Sequence, residues 1–215
     1  GYNLEGIQQP NVQWFFSKMI NCESELKVKV NSLQSQFPIL TNLSIPHQIS
    51  NNITLSTMHG CPANEIEQIG TYLLKEKKLH TYIKLNPTLL GAEKLREILN
   101  HIGKFRTNVP DEAFGHDLKY NDAIKIISNL QKTASEENLD FGLKLTNTLE
   151  SSNNRKIFKN EVDMMYMSGR ALHPISVHVA AKLQKHFNGK LNLSFSAGAD
   201  AFNISDILSC GFNTV

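Results

Sequence analysis

The sequence is poor in the residues that mark several common protein classes. It has only three cysteines, Cys22, Cys61 and Cys210, and none of them belongs to a C-x-x-C pattern. An odd and scattered set of thiols argues against a disulfide scaffold and favours a reducing compartment. We therefore expect a cytoplasmic protein with no metal site in these residues. No apolar run approaches the roughly 20 residues of a membrane span, so we expect no membrane partner.

The chain also lacks an excess of charge of either sign. Lysine and arginine total 22, and aspartate and glutamate total 20, which gives a formal net charge of +2. Such a balance provides no general attraction to the phosphates of a nucleic acid, and we expect none as a partner. Hydrophobic residues make up 40% of the sequence, which is enough for the core of a globular domain.

From residue 53 onward the sequence contains a regular alternation of short β-runs and amphipathic helices. The segments between the β-runs have apolar residues three or four positions apart, as at Ile66, Ile69 and Leu73. This is the spacing of a helix that buries one face. Parallel strands need such long crossovers, so the pattern predicts βαβ units around a parallel sheet. The predicted strands cover 53–56, 81–85, 141–145 and 191–195, with a last one beginning at Asn213.

Two architectures are built from these units, the open doubly wound sheet and the (β/α)8 barrel. No G-x-G-x-x-G follows the first β-run, which disfavours a dinucleotide-binding sheet. Five β-runs fall short of the eight strands and about 250 residues of a complete barrel. We therefore predict an α/β fold that is the C-terminal part of a (β/α)8 TIM barrel, in a fragment of a larger protein. Both ends agree with a fragment, because the chain starts at Gly1 and stops in a strand-like run at Val215.

Residues 1–52 lack this alternation and are interpreted as an irregular or helical lead-in segment. Helical spacing is weak there and covers 12–20 and 26–37, and turn-forming residues dominate 41–52. Residues 53–215 are predicted to form the βα units of the incomplete barrel. These units are expected to be interrupted by an irregular insertion at 104–119 and by a polar excursion at 150–163.

Ligands of parallel sheets bind at the carboxyl ends of the strands, where this sequence places an amine and an amide. Lys84 lies in an otherwise apolar β-run. A buried lysine needs an anionic or carbonyl partner or loses its proton, so Lys84 could hold the electron-rich edge of a cofactor or form a Schiff base. Ordinary alternation, with Lys84 facing outward, is the alternative. Asn147 offers a donor and an acceptor together, which suits a uracil-like or flavin ring edge, unless it only completes a turn.

A thiol and an imidazole follow the first of these β-runs. Cys61 directly precedes a helix, whose dipole is expected to lower the pKa of the thiol. In that position Cys61 would act as an acid toward a substrate carbon, unless it is an inert buried cysteine. His59 would supply a proton or cap the loop.

Two glycine-containing turns are candidate sites for a phosphate or a bulky ligand. Gly198 lies in the turn 196–198, which is expected to lead within a few residues into a helix. Free N–H groups at the start of a helix bind phosphate, so this turn is a candidate phosphate site. Ser168 and Gly169 would allow a second close approach, because both residues are small.

Several of these strings stand in the order seen in the FMN barrels of dihydroorotate and dihydropyrimidine dehydrogenases. They are 53–62, 82–87, 144–148, 168–174 and 197–200. The chain resembles more closely, and nearly from end to end, the barrel of the YgfK-type family of iron–sulfur flavoproteins, described as selenate reductase subunits. The strings that bear this closer resemblance are 1–4, 55–62, 86–91 and 198–203.

The resemblance implies a domain of a flavin-dependent oxidoreductase that passes electrons between FMN and a small-molecule substrate. It implies that Lys84 contacts the flavin ring near N1 and O2, and that Cys61 is the active-site cysteine, which transfers a substrate proton. His59 is the second candidate for proton transfer, from its place in the loop alone. Iron–sulfur clusters and an FAD/NADPH region are expected in other redox domains of the same polypeptide or complex, outside this chain. The remaining cofactor contacts are assigned to strand-end and turn residues: Asn86, Asn147, Thr148, Ser168, Gly169 and Gly198.

The sequence departs from the family patterns at two loops. Dihydropyrimidine-type enzymes have Asn-x-Ser-Cys-Pro where this chain has His-Gly before Cys61 and Pro62, so the substrate geometry of those enzymes does not transfer. The double glycine of the phosphate turn is replaced by alanine and Gly198. The phosphate loop of the closing strand lies beyond Val215, so we expect FMN in the intact protein and an inactive fragment.

Two alternatives stay open beside the flavin-dependent enzyme. One is a Schiff-base aldolase-type barrel that uses Lys84, since barrel enzymes commonly hold such lysines. The other is a non-catalytic scaffold domain of a multidomain redox protein, which keeps the barrel without its cofactor.

Overall fold

The computed structural model describes residues 3–56, 59–159 and 161–215. These residues fall into two compact units, one that ends at Ile53 and one that runs from Thr54 to Val215.

The first unit consists of helices. α1 (Leu4–Ile7), α2 (Pro10–Ile20) and α3 (Glu23–Leu33) precede a 3₁₀ turn at Pro38–Asn42. The backbone N–H and the thiol of Cys22 both donate to the carbonyl oxygen of His47, at 2.9 and 3.0 Å, which fastens the start of α3. Both helices that the sequence predicts in this region are present, and the second ends at Leu33 rather than at Phe37.

The second unit is built on a four-stranded sheet in the order β1-β2-β3-β6. β3 pairs in parallel with β2 on one side and with β6 on the other, which confirms the predicted parallel α/β sheet. A parallel bridge between Ser194 and Thr214 lies where the last strand is predicted. Over the described residues the sheet does not close into a barrel. The strands are β1 (Asn52–Ser56), β2 (His80–Leu85), β3 (Phe141–Leu145) and β6 (Leu193–Phe195).

Helices cover one face of this sheet and form the core with it. α4 packs closely on α7, because a Cβ at Gly70 would lie 2.7 Å from Cδ1 of Leu130. The strand residues beneath the helices are buried and apolar, as at Ile83, Leu143 and Phe195. The helices of this unit are α4 (Ala63–Lys75), α5 (Ala92–Arg96), which continues as a π-helix over Glu97–Ile102, α6 (Asp111–His116), α7 (Tyr120–Glu136), α8 (His173–His186) and α9 (Ile204–Ser209).

The other face of the sheet is polar. Lys84 of β2 is the register neighbour of Lys144 of β3, which is in turn the neighbour of Ser194. Two residues earlier, the ring of Tyr82 lies against Gly142, where an added Cβ would come within 2.3 Å of the ring. Because alternate strand residues point to opposite faces, these side chains share the side away from the helices.

Two segments predicted to be irregular contain regular structure. The insertion at 104–119 includes α6. The polar excursion at 150–163 begins within a two-stranded antiparallel sheet of β4 (Leu149–Ser152) and β5 (Met164–Met167). Asn153 orders the loop between them, since its side chain accepts from two backbone N–H groups and donates to the carbonyl oxygens of Phe158 and Val162. Within the part of the chain that the structure describes, no helix has the length and apolar character needed to cross a membrane.

Candidate functional site

The carboxyl ends of three neighbouring strands meet in a network of side-chain hydrogen bonds. Oγ of Ser56, at the end of β1, donates to Oδ1 of Asn147 at 3.2 Å. Nδ2 of Asn147, which follows β3, donates to Oδ1 of Asn86, which follows β2, at 3.0 Å. Asn86 and Asn147 are only 5% and 7% exposed. The parallel strands therefore bring together the two amides that the sequence predicts at this edge, and each fixes the orientation of the other.

A second set of hydrogen bonds is centred on the imidazole of His59 and reaches Thr148, the residue after Asn147. Nδ1 of His59 lies 3.1 Å from Oδ1 of Asp117, and Nε2 lies 3.2 Å from Oγ1 of Thr148. The second carboxylate oxygen of Asp117 accepts from the hydroxyl of Thr88 at 2.8 Å. Asp117 is buried, so its charge is compensated by these two partners rather than by solvent. The site thus contains a carboxylate–imidazole–hydroxyl chain.

The surroundings of His59 favour its charged form. The hydrogen bond to Asp117 raises the pKa of His59 above its ordinary value of 6.5, and the charges of Asp117 and Glu150 add to this, although partial burial opposes it. The ring of Tyr166 lies against the imidazole at 5.2 Å between centroids. Glu150 is itself paired with Nε2 of His116 at 3.0 Å. His59 is therefore protonated over more of the neutral pH range than an ordinary histidine.

Lys84 lies on the polar face of the sheet, one strand residue before the buried end of β2. The side-chain amines of Lys84 and Lys144 form no ion pair or hydrogen bond with any residue that the structure describes. Burial lowers the pKa of the Lys84 amine, and the charge of Lys144 lowers it further. Like charges on directly opposed strand residues are destabilising. This pair of amines therefore favours an electron-rich ligand over the sheet face.

The pKa of the Cys61 thiol is raised, whereas the sequence predicts a lowered one. Sγ of Cys61 lies 3.9 Å from a carboxylate oxygen of Glu65 and 4.0 Å from the carbonyl oxygen of Pro62. Burial raises the pKa of Cys61 to about 11, and the charge of Glu65 and its hydrogen bond contribute. The expectation of a lowered thiol pKa is therefore wrong, because burial disfavours the thiolate and the Glu65 carboxylate adds to this effect. The thiol remains a proton donor at neutral pH.

Cys61 does not belong to the hydrogen-bonded network but lies next to it. It lines a pocket of about 210 Å³ together with Gly60, His116 and Asp117. Asp117 is thus shared between this pocket and the imidazole of His59. Cys61 and His59 are therefore connected through Asp117, which lines the pocket of the one and contacts the imidazole of the other.

The two predicted glycine turns contact each other. An added Cβ at Gly198, where φ is +71°, would lie 2.5 Å from the backbone N and Cα of Arg170. In the other turn, Gly169 lies between Ser168 and Arg170. It has φ +67°, and nothing lies within 4 Å of the position of an added Cβ. The arginine side chain forms an ion pair with Asp200. Close approach of the two loops therefore requires glycine at 198.

The helix predicted after the Gly198 turn is present as α9, which begins at Ile204. The chain between Gly198 and α9 is a turn in which Asn203 donates to the carbonyl oxygen of Gly198 at 3.0 Å and accepts from the backbone N–H of Asp200 at 2.8 Å. The phosphate site at this turn stays a prediction.

Sequence reasoning missed four residues of this edge. Asp117 and Thr88 lie in different segments of the chain, and neither segment carries a signal that they meet. Lys144 and Arg170 likewise have no local signal of a role at this edge. In the part of the chain that is described, no cluster of three histidine, cysteine or acidic side chains could hold a metal ion.

Comparison with known proteins gives a family over the whole chain. Residues 1–215 match the family model described as oxidoreductase YgfK, N-terminal TIM-barrel domain. The protein named "Putative oxidoreductase YgfK" of Escherichia coli K12 is 42% identical over 234 aligned residues, and the protein of the same name from Escherichia coli O157:H7 is equally similar. The alignments cover 100% of this chain and 22% of each relative. The chain therefore spans about a fifth of the length of these relatives.

Proposed function

Because the chain belongs to the family of the N-terminal TIM-barrel domain of oxidoreductase YgfK, we propose that it is the FMN-binding part of a flavin-dependent oxidoreductase. In this proposal electrons pass between FMN and a small planar substrate. The observation that supports it most is the unpartnered Lys84 amine next to the hydrogen-bonded amides at the strand ends.

The residues on the polar face suit the pyrimidine edge of a flavin. Burying an amine without a partner costs free energy, and an electron-rich ring edge over Lys84 would supply the missing acceptor. Asn147 retains one N–H beyond its bond to Asn86, since an amide has two. This donor and the Lys84 amine, both at the end of adjacent strands, match ring carbonyl and nitrogen acceptors.

The glycine turns suit the other end of the cofactor. Gly169 has open space at its Cβ position, which leaves its backbone accessible to a ligand. Lys84, Asn86, Asn147 and Thr148 would hold the ring. Ser168, Gly169 and Gly198 would contact the ribityl chain and phosphate. Bound FMN supplies hydride and electron transfer, which no side chain here provides.

The side chains of this chain would handle the protons. Cys61 keeps its proton at neutral pH because its pKa is raised to about 11, so it suits the role of acid toward a substrate carbon and not that of a thiolate nucleophile. His59, held by Asp117 at 3.1 Å, is the second group that can hold and release a proton at this edge.

The wider assembly belongs to the same proposal. The chain would provide the later strands of a dihydropyrimidine dehydrogenase-like barrel in a selenate reductase subunit. The FAD/NADPH and iron–sulfur domains that exchange electrons with FMN would lie elsewhere in the polypeptide or complex.

The test is Lys84→Met in the full-length protein. We expect flavin content to fall at least about tenfold or the flavin reduction potential to fall, because a positive charge stabilises electron density at the ring edge. Flavin content is measured from the visible spectrum and the mass of the released cofactor. Lys132→Met, on the exposed face of α7, is the matched control and should leave both quantities unchanged. Unchanged flavin content and potential in the Lys84 variant would remove Lys84 from the site.

One observation favours a second candidate function. The lowered pKa of Lys84, with Lys144 beside it, also suits a Schiff-base lysine of an aldolase-type barrel. Borohydride trapping of a carbonyl compound on Lys84, in protein without flavin, would support that function. Full-length protein that stays colourless after purification with added FMN, and traps nothing, would indicate a non-catalytic scaffold domain.

A further inference from the structure

The hydrogen bonds around His59 determine the polarity of the Thr148 hydroxyl. Nδ1 of His59 lies against the Asp117 carboxylate at 3.1 Å, and an ionised carboxylate only accepts, so Nδ1 carries a proton. If Nε2 also carries one, it donates to Oγ1 of Thr148 at 3.2 Å, and the hydroxyl proton of Thr148 stays free for a ligand. If Nε2 carries no proton, it accepts a hydrogen bond from the Thr148 hydroxyl instead.

Asp117 favours the first of these arrangements. Its carboxylate is buried, and its two oxygens are occupied by His59 and by the Thr88 hydroxyl, which donates at 2.8 Å. Glu150 of β4, paired with His116, adds negative charge on the same side of the imidazole, and Tyr166 of β5 covers the ring. Asp117 and Glu150 are the charged groups, among the described residues, that act on the pKa of His59.

The side-chain amide of Asn147 also offers a hydrogen-bond donor to a ligand. Oδ1 of Asn147 already accepts from Ser56, and one N–H of its Nδ2 is donated to Asn86. Its second N–H has no partner among the residues that the structure describes and is a donor. With His59 charged, the Thr148 hydroxyl and this N–H of Asn147 are two adjacent donors that a ligand can use.

We propose that Asp117 and His59 are a positioning pair that makes the Thr148 hydroxyl a hydrogen-bond donor, so that the site takes a ligand with a carbonyl or carboxylate oxygen at Thr148. The proposal rests on the proposed function only in placing the ligand at this strand edge. Asp117 is a positioning residue because it acts through His59. Loss of the His59 proton reverses the polarity of Thr148 and weakens acceptor binding.

The test measures the protonation of His59 in the full-length protein. Diethyl pyrocarbonate modifies only the neutral imidazole, so the extent of modification of the His59 peptide against pH, followed by mass spectrometry, gives a midpoint. We expect a midpoint above about 6.5 in the wild type and a fall of about one pH unit in Asp117→Asn. Thr148→Val removes the hydroxyl but not the carboxylate, so its midpoint should stay close to that of the wild type.

Acetate serves as the acceptor probe, with chloride at equal ionic strength as the control for general salt effects. Acetate should slow modification of His59 below the midpoint and lose this effect above it. Thr148→Val should abolish the protection and Thr148→Ser should retain it. Protection that persists in Thr148→Val, or a midpoint that Asp117→Asn does not move, would overturn the proposal. If Asp117→Asn does not fold, the comparison of Thr148→Val with Thr148→Ser still tests the proposal.

The same samples separate this inference from the proposed function. Flavin content is recorded for each variant from its visible spectrum. Protein without flavin that still shows the shifted midpoint and the hydroxyl-dependent protection supports the positioning pair and contradicts the flavin proposal. Flavin-bound protein that shows neither the shifted midpoint nor the hydroxyl-dependent protection supports the flavin proposal and contradicts the positioning pair.

Discussion

The sheet has a histidine–aspartate pair at each of its two edges, and the two pairs differ in their surroundings. At the carboxyl edge, His59 and Asp117 have side chains that are 21% and 3% exposed. At the amino edge, Nδ1 of His80 lies 3.3 Å from Asp140, whose side chain is 76% exposed. The backbone N–H of Asp140 also donates to Nδ1 of His80 at 2.9 Å, so that nitrogen is an acceptor.

The comparison shows that the same two residue types serve different purposes at the two edges. Water solvates the Asp140 carboxylate, so its pairing with His80 is worth little. The Asp117 carboxylate has exchanged water for two fixed partners, which makes their geometry costly to change. Buried polar groups are concentrated at the carboxyl edge, where ligands of parallel sheets bind. Three sets of variants test this difference.

The largest difference in the loss of folding stability is expected between substitutions of two glycines that lie before and after β6. Gly198→Ala, at the carboxyl edge, combines a positive φ with a Cβ 2.5 Å from the Arg170 backbone. We expect a loss of about 3–5 kcal/mol in the free energy of unfolding. Gly189→Ala, at the amino edge, has φ +75° but nothing within 4 Å of its Cβ position, and should cost about 1–2 kcal/mol. Urea unfolding measures both, and equal losses would contradict the close approach.

The next difference concerns the two aspartates. Asp117→Asn should lower stability by about 2 kcal/mol near pH 6, whereas Asp140→Asn should cost less than about 0.5 kcal/mol. The pKa of His59 is raised in the folded state, so its stabilising effect is complete below the unfolded pKa and is lost as the pH rises through the folded one. The deficit of Asp117→Asn should therefore shrink toward about pH 9. A deficit that is independent of pH would show that the charge of His59 is not involved.

The smallest expected effect is on a reaction rate. Cys61 at the carboxyl edge has a pKa raised to about 11, so iodoacetamide should alkylate it slowly near pH 8 and faster as the pH approaches 11. The exposed Cys210 at the end of α9 provides an internal comparison within each sample. Glu65→Gln should increase the Cys61 rate about threefold, because it removes the carboxylate that opposes ionisation. Peptide-resolved mass spectrometry measures the rates, and rapid modification of Cys61 at pH 8 in the wild type would refute the raised pKa.

Local sequence signals predicted the sheet and the amides, because these depend on spacing along the chain. Hydrophobic periodicity gave the βα alternation, and parallel strands necessarily bring Asn86 and Asn147 to one edge. Asp117 could not be predicted in this way, since it lies in a segment without periodicity and reaches His59 only through the fold. The β4–β5 pairing likewise depends on a loop ordered by Asn153.

The raised pKa of Cys61 could be predicted only in part from the sequence. Its largest cause is burial, which depends on the fold, whereas the charge that adds to it belongs to Glu65, only four residues further along the chain. The contact between Gly198 and the Arg170 backbone, by contrast, joins two distant loops, and no pattern within either loop announces it.

The ring of Tyr82 across Gly142 has a consequence for the surroundings of the two lysines. Tyr82 precedes Lys84 by two residues on the same face, and Gly142 precedes Lys144 in the same way, so the two pairs of positions lie about 7 Å apart along the strands. An aromatic surface therefore borders the two lysines on the side toward the amino ends of the strands. It depends on the missing side chain at position 142, because even a Cβ there would come within 2.3 Å of the ring.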